Sequence, residues 1–281
     1  SNNDANSWSD AKSPHTDSTN TEHGFVSKVA MDDNSFLSIW LDGRQMAYAK
    51  QDSTIAKQMT LRGAIFDSQG IVKNEYLLDG RVCDCCQTDV AMTEHGPIVI
   101  YRDRSENEIR DVYYIRQVDG LWTKPKAIYK DNWKITGCPV NGPAISTKAN
   151  SVAIAWFTVA DNLPSVKVVF SNNNGETFNE PIEIGDVAPL GRVDIEMLED
   201  NSALVSWMDT VEGKTSIKLQ RVYKSGKLSS VTTLAESSES RSSGFPRMVV
   251  KDNLAYITWT KVNKGNKLSI ETAIINTDLI E

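Results

Sequence analysis

The chain has 281 residues, 40% of them hydrophobic, with a formal net charge of −7 at pH 7. That acidic balance lacks the basic patch that holds a nucleic acid, and no apolar run approaches the ~18–20 residues that a membrane-spanning helix needs. Four cysteines are too few for a disulfide-dense scaffold, so they serve a local purpose.

Ser1 to Glu22 is polar throughout and holds no signal peptide. From there an aromatic recurs at intervals of roughly 50–60 residues, the length of one repeat unit. Trp40, Tyr101, Trp156, Trp207 and Trp259 each close a β-patterned segment, as in Val152-Ala153-Ile154-Ala155-Trp156. A shorter apolar strand precedes each: Val29-Ala30-Met31, Val90-Ala91-Met92, Ala144-Ile145, Asp194 to Met197, and Met248-Val249-Val250. Turn sequences such as Glu94-His95-Gly96 and Lys251-Asp252-Asn253 join the two. Two more strands follow each aromatic, as in Ser165 to Phe170 and then Pro181 to Ile184, and no segment shows a helical period. Four antiparallel strands repeated in this way predict an all-β propeller. Five blades are expected, beginning near residues 24, 86, 138, 190 and 244, in a single domain over residues 1–281.

In a propeller the loops entering each innermost strand share one face with the loops between second and third strands. The entering loops are Thr21 to Phe25, Arg81 to Thr88, Gly137 to Pro143, Pro189 to Asp194 and Ser242 to Arg247. The second set contains Asp42-Gly43-Arg44, Arg102 to Ser105, Thr158 to Asp161, Asp209 and Lys261. Most residues without a core explanation fall in these loops, which is where a rigid scaffold carries function. Arginines aimed at a narrow channel need anionic partners. Arg81, Arg104, Asn141, Arg192, Asp194 and Arg247 are therefore the expected ligand-binding set, with Glu22, Asp103, Arg192 and Arg247 as catalytic candidates.

Cys83, Cys85 and Cys86 fall within four positions, and Cys138 lies about one repeat later. Three readings stand open. One of the three, paired with Cys138, would staple neighbouring blades by a disulfide. Soft thiolates at Cys-x-Cys-Cys plus Cys138, with His23 nearby, would suit copper(I) or zinc. Cys85-Cys86 could act as a redox pair. His15 and His95 read as loop residues.

Ser171-Asn172-Asn173-Asn174-Gly175-Glu176-Thr177-Phe178 resembles the Asp-box of sialidase-type propellers, with Asn173 for the aspartate and Phe178 for the tryptophan. Asp119 to Pro125 is a degenerate copy, and Ser1 to Trp8 fits the same frame. On the last copy the chain is expected to open inside a sixth blade, of which residues 1–23 are the end. It would then be an N-terminally truncated six-bladed propeller whose signal peptide lies upstream, exported to the periplasm or beyond the cell. Thr21 to Ser27, Val82 to Thr88, Cys138 to Pro143 and Gly244 to Arg247 are similar to bacterial exo-sialidase-like members of the sialidase superfamily. That resemblance implies an arginine triad for a sialic acid carboxylate, with places for Arg192, Arg247 and either Arg81 or Arg104. It also implies a tyrosine nucleophile, although no tyrosine stands at the start of a late blade and Tyr101 is a repeating blade aromatic. Two functions follow: a glycoside hydrolase or binder of an acidic glycan or small molecule, or a non-hydrolytic metal-binding propeller. A scaffold for protein partners is a third.

Overall fold

The computed structural model describes residues 6–8, 10–31, 34–185 and 189–281. It is a β-propeller of five antiparallel sheets. The first holds β1 (His23–Ala30), β2 (Phe36–Asp42), β3 (Thr60–Phe66) and β4 (Val72–Asp79). The second holds β5 (Asp89–Thr93), β6 (Gly96–Arg102), β7 (Val112–Val118), β8 (Leu121–Trp122) and β9 (Lys126–Ala127), the last two sharing the outer edge of β7. The third runs β10 (Ala144–Lys148), β11 (Ser151–Thr158), β12 (Ser165–Ser171) and β13 (Ile182–Ile184). The fourth runs β14 (Pro189–Met197), β15 (Ala203–Val211), β16 (Lys214–Val222) and β17 (Thr232–Ser237). The fifth has three described strands, β18 (Arg247–Lys251), β19 (Leu254–Val262) and β20 (Leu268–Asn276). The inner strands β1, β5, β10, β14 and β18 adjoin one another in chain order. The connection after β2 winds one short helix, α1 (Arg44–Tyr48), where sequence periodicity indicated none.

Second strands lie between sheet neighbours on both sides and face other blades above and below. The sequences of β2, β6 and β11 are accordingly mostly apolar without alternation in burial, and β11 is buried along its whole length, whereas β19 in the last blade alternates. The five repeating aromatics sit on these strands, and none is more than 6% exposed. Truncating such a side chain costs about 3–5 kcal/mol. Their polar atoms are mostly paired: Trp40 Nε1 donates to Asp42 at 2.8 Å and Trp156 Nε1 to Asp131 at 2.7 Å.

The blades are also stitched at the axis by side chains bonding the next blade's backbone. Ile145 N donates to Asp89, Gly142 N to Gln87, Arg192 N to Asn141, Met197 N to Ser146, and Met248 N to Asp194. Inner strands are edges, and each stitch satisfies an amide that would otherwise stay unpaired in a dry interior. Two glycines make the approach possible. A Cβ on Gly142 would stand 2.2 Å from Gln87 O, and one on Gly191 (φ +81°) 2.4 Å from Asn141 Oδ1.

The Asp-box turn forms as its residue types require. Gly175 N donates to Ser171 Oγ at 3.0 Å and Thr177 N to Asn173 Oδ1 at 3.0 Å, so asparagine fills the aspartate's role. Phe178 then packs edge-on against Tyr114 of the preceding blade.

The amino-terminal reading changes. Residues 1–5 of the Ser1 to Trp8 frame lie outside the described residues, and Trp8 is exposed rather than plugging a blade. Residues 6–8 and 10–22 contain no strand. They run along the first blade instead, where Lys12 donates to Gln69 O and Thr16 to Glu75. Polar residues without alternation could not supply a strand that buries one face.

Asn141→Ala, which removes the stitch to Arg192 N and the donor to Leu190 O, should destabilise the chain by about 2–3 kcal/mol. Urea unfolding checks this, and a loss below about 0.5 kcal/mol would contradict the role.

Candidate functional site at the cysteine loops

The chain leaves β4 at Asp79 and enters β5 through a loop laid against the end of β6. Val82 N donates to Met59 O at 3.0 Å, and Cys83 N to Arg102 O at 3.0 Å. These bonds fix the start of the loop, and the tight turn that follows brings its thiols together. Cys83 Sγ lies 3.8 Å from Cys85 Sγ and 3.3 Å from Cys86 Sγ, and all three sulfurs fall within 4.8 Å of one another. Cys138 comes from the next blade's loop and lies outside that three-sulfur group, near enough to Cys85 to raise its thiol. None of the four is in a disulfide in this structure, and stitches through Gln87 and Arg102 hold the two loops together. Cys83 and Cys86 are buried, Cys85 half-buried and Cys138 exposed.

Cations surround the sulfurs. Buried Arg110 donates from Nη1 to Cys83 Sγ at 3.1 Å. Hydrogen bonds with Cys85 and Cys86, then the charge of Arg110, hold the Cys83 thiol well below its ordinary pKa. The hydrogen bond with Cys83 raises Cys85, while burial pushes Cys86 up to about 12. Nearby carboxylates are engaged elsewhere: Glu108 meets Arg104 at 3.0 Å and Arg110 at 2.8 Å, and Asp84 lies 3.6 and 3.7 Å from the same two arginines. The two arginines hold Glu108 down at about 2. Arg81 reaches Glu108 at 3.6 Å.

Arg102 is the residue that sequence reasoning placed in a loop and passed over. It is buried at the end of β6, donates to Asn141 O at 2.8 Å, to Phe157 O at 2.7 Å and to Arg110 O, and stacks on Trp133. A charged residue closing an otherwise apolar strand was the available signal. Arg110 and Glu108 were missed in the same way.

The expected ligand-binding set divides. Arg81 and Arg104 do lie beside the cysteines. Arg192 does not face a ligand: its guanidinium is spent on the carbonyls of Glu239, Ser240 and Gly244 and the hydroxyl of Ser243, and it holds that loop. Asn141 and Asp194 are stitches, for the reason given above. Arg247 is 64% exposed and lies 3.4 Å from Asp194. Glu22 is exposed, and its carbonyl accepts from Gly43 N. His23 is no companion of the thiols, because its ring nitrogens meet Thr21 O and Asp17 at 3.0 Å each. His15, read as an idle loop residue, stacks on His23 at 3.7 Å and meets the same Asp17 oxygen at 2.9 Å. Arg44 stands 3.3 Å from that oxygen and 2.7 Å from Asp42, so a guanidinium already fills the place of a cation there.

Several acids are held partly protonated near neutrality. Burial, then the charge of Asp79, raises Asp103 to about 7 on the face that carries the cysteines. Along the axis burial raises Asp194 to about 6 and Glu196 to about 7, with their mutual repulsion and that of Asp89 adding to it.

No family model and no curated protein matches the chain. Solved structures do. A protein of unknown function from Dyadobacter fermentans DSM 18053 superposes with a TM-score of 0.59 at 14% identity, covering 91% of this chain and 79% of its own. The catalytic domain of the Coprinopsis cinerea GH62 α-L-arabinofuranosidase gives 0.50 at 12% identity, covering 93% and 92%. A Hadza microbial sialidase gives 0.46 at 15% identity, covering 80% of this chain and 53% of the sialidase. The β-propeller fold is thus shared with glycosidases, and at these identities fold alone is shared.

Glu196 has a folded pKa raised above its unfolded value, so its ionisation weakens the fold as pH rises from about 4.5 through 7. Glu196→Gln should therefore gain on the order of 1–3 kcal/mol over the parent at pH 8 and nothing at pH 4. Denaturant titrations at both pH values measure it, and an equal gain at both would rule out the charge as the cause.

Proposed function

We propose that the chain is a propeller that binds a soft metal ion, copper(I) or zinc, through the thiols of Cys83, Cys85, Cys86 and Cys138. The observation that carries this reading is the convergence of three sulfurs within 4.8 Å from one short loop, with Cys138 on the neighbouring blade's loop that Arg102 ties to it. A cation about 2.3 Å from each sulfur sets neighbouring sulfurs roughly 3.8–4.0 Å apart, close to the spacing of Cys83 and Cys85. Arg110 supports the reading too, because a buried guanidinium against a sulfur favours thiolate over thiol. Protein purified anaerobically under reducing conditions should carry about one equivalent of copper or zinc by elemental analysis. Cys85→Ser/Cys86→Ser should carry none while keeping its far-ultraviolet circular dichroism. Metal-free protein that takes up neither ion on addition would overturn the proposal.

A glycosidase of exo-sialidase type is the second reading. It is supported by Asp103, half-buried on the same face with its carboxyl near 7, the range of a general acid at neutral pH. The ligand would be an acidic sugar met by Arg81, Arg104 or Arg247. Sialoside hydrolysis that falls at least about 100-fold in Asp103→Asn is the expected outcome; wild-type protein inert toward acidic glycosides sinks this reading. Either activity is proposed for the periplasm or the cell exterior, and fractionation of the native host checks the location.

A further inference from the structure

The geometry points to copper(I) as the resident ion, bound by Cys83, Cys85 and Cys86, with Cys138 as the ligand through which copper enters and leaves. This assignment rests on the metal-binding reading above. It starts from what the site withholds. Zinc is served as well by imidazole and carboxylate as by sulfur, whereas copper(I) is selected by thiolates. Asp84 and Glu108, two carboxylates beside the sulfurs, are both drawn off by Arg104 and Arg110. His23 is bonded to Asp17 and Thr21. Among the described residues, the ligand group gathered here is of sulfur alone.

Burial then ranks the sulfurs. A structural zinc site closes with four ligands in a tetrahedron. Here Cys83 and Cys86 are 1% and 2% exposed, Cys85 is half-buried beside them, and Cys138 stands at the solvent edge on a separate loop. The three inner sulfurs form a compact triangle suited to a three-coordinate ion, and the fourth is placed where an incoming ion arrives first. Arg110 completes the argument. It is 3% exposed, and its Nε is buried without a hydrogen-bond partner while Nη1 meets Cys83 Sγ. A buried guanidinium beside the sulfurs is stabilised by the net negative charge of three thiolates around a monovalent ion.

Loading is ligand exchange without change of oxidation state. Cys138 bonds copper(I) as a ligand of the donor complex departs, and the inner sulfurs then displace Cys138. Each copper–sulfur bond formed at a protonated cysteine releases one proton, and Cys138 takes a proton back when it is released.

The test uses the full chain, reduced and anaerobic, titrated with copper(I) as its bicinchoninate complex and, separately, with zinc against a chromophoric chelator. The expected result is one copper(I) per chain with three sulfur neighbours by X-ray absorption. Cys138→Ser should keep the stoichiometry and lie within about 3-fold of the parent affinity, yet take up copper at least about 10-fold more slowly. Cys86→Ser and the half-buried Cys85→Ser should each lose at least about 100-fold in affinity, with near-ultraviolet circular dichroism reporting that they remain folded. Zinc retained in preference to copper, and lost as fully by Cys138→Ser as by Cys86→Ser, would overturn the copper assignment while leaving the metal-binding function standing. Uptake of neither ion would remove both.

Discussion

The site depends on one buried charge. Among the described residues Arg102 pairs with no carboxylate and is held by three backbone carbonyls, two of which belong to the next blade. A guanidinium taken from water must have its donors satisfied in fixed directions, so the three carbonyls cannot move independently. Asn141 O lies on the loop that carries Cys138, and Arg102 O accepts from the amide of Cys83. One residue thus sets the distance between two cysteine-bearing loops that are more than fifty positions apart in the chain. Lysine could not do this, having a single nitrogen for three divergent acceptors.

Around that charge the propeller supplies rigidity by repetition. Apolar second strands with one large aromatic each give blades a common thickness. The axial stitches then lock neighbouring inner strands in register. Because each stitch runs from the side chain of one blade to the backbone of the next, changes in loop sequence need not disturb it. This is how a shared fold can carry a cysteine cluster here and glycosidic chemistry in other chains.

Much of this was legible from the residues. The spaced aromatics and the alternation of strand and turn located the blades, and the Asn173–Gly175–Thr177 pattern gave its turn, because both follow from local chemistry. The gathering of Cys83, Cys85 and Cys86 was legible from spacing. The roles of Arg192, Asn141 and Asp194 were not. A polar side chain at a loop looks the same in sequence whether it meets a ligand or a neighbouring blade's amide, and only tertiary contact separates the two. Arg102 and Arg110 stayed hidden for a related reason. Their partners are carbonyls and a sulfur, which carry no sequence signature.

The acids crowded at the axis and beside the cysteines alter how the molecule presents itself to its surroundings. The formal charge of −7 counts every carboxylate as ionised. Asp103 and Glu196 sit near 7 and Asp194 near 6, so around neutrality part of that charge is carried as bound hydrogen. The folded protein is therefore less anionic than its composition implies, and it acts as a small proton store. Between about pH 6 and 7 these three acids still exchange protons that ordinary carboxyls, with pKa values of about 4, have already lost.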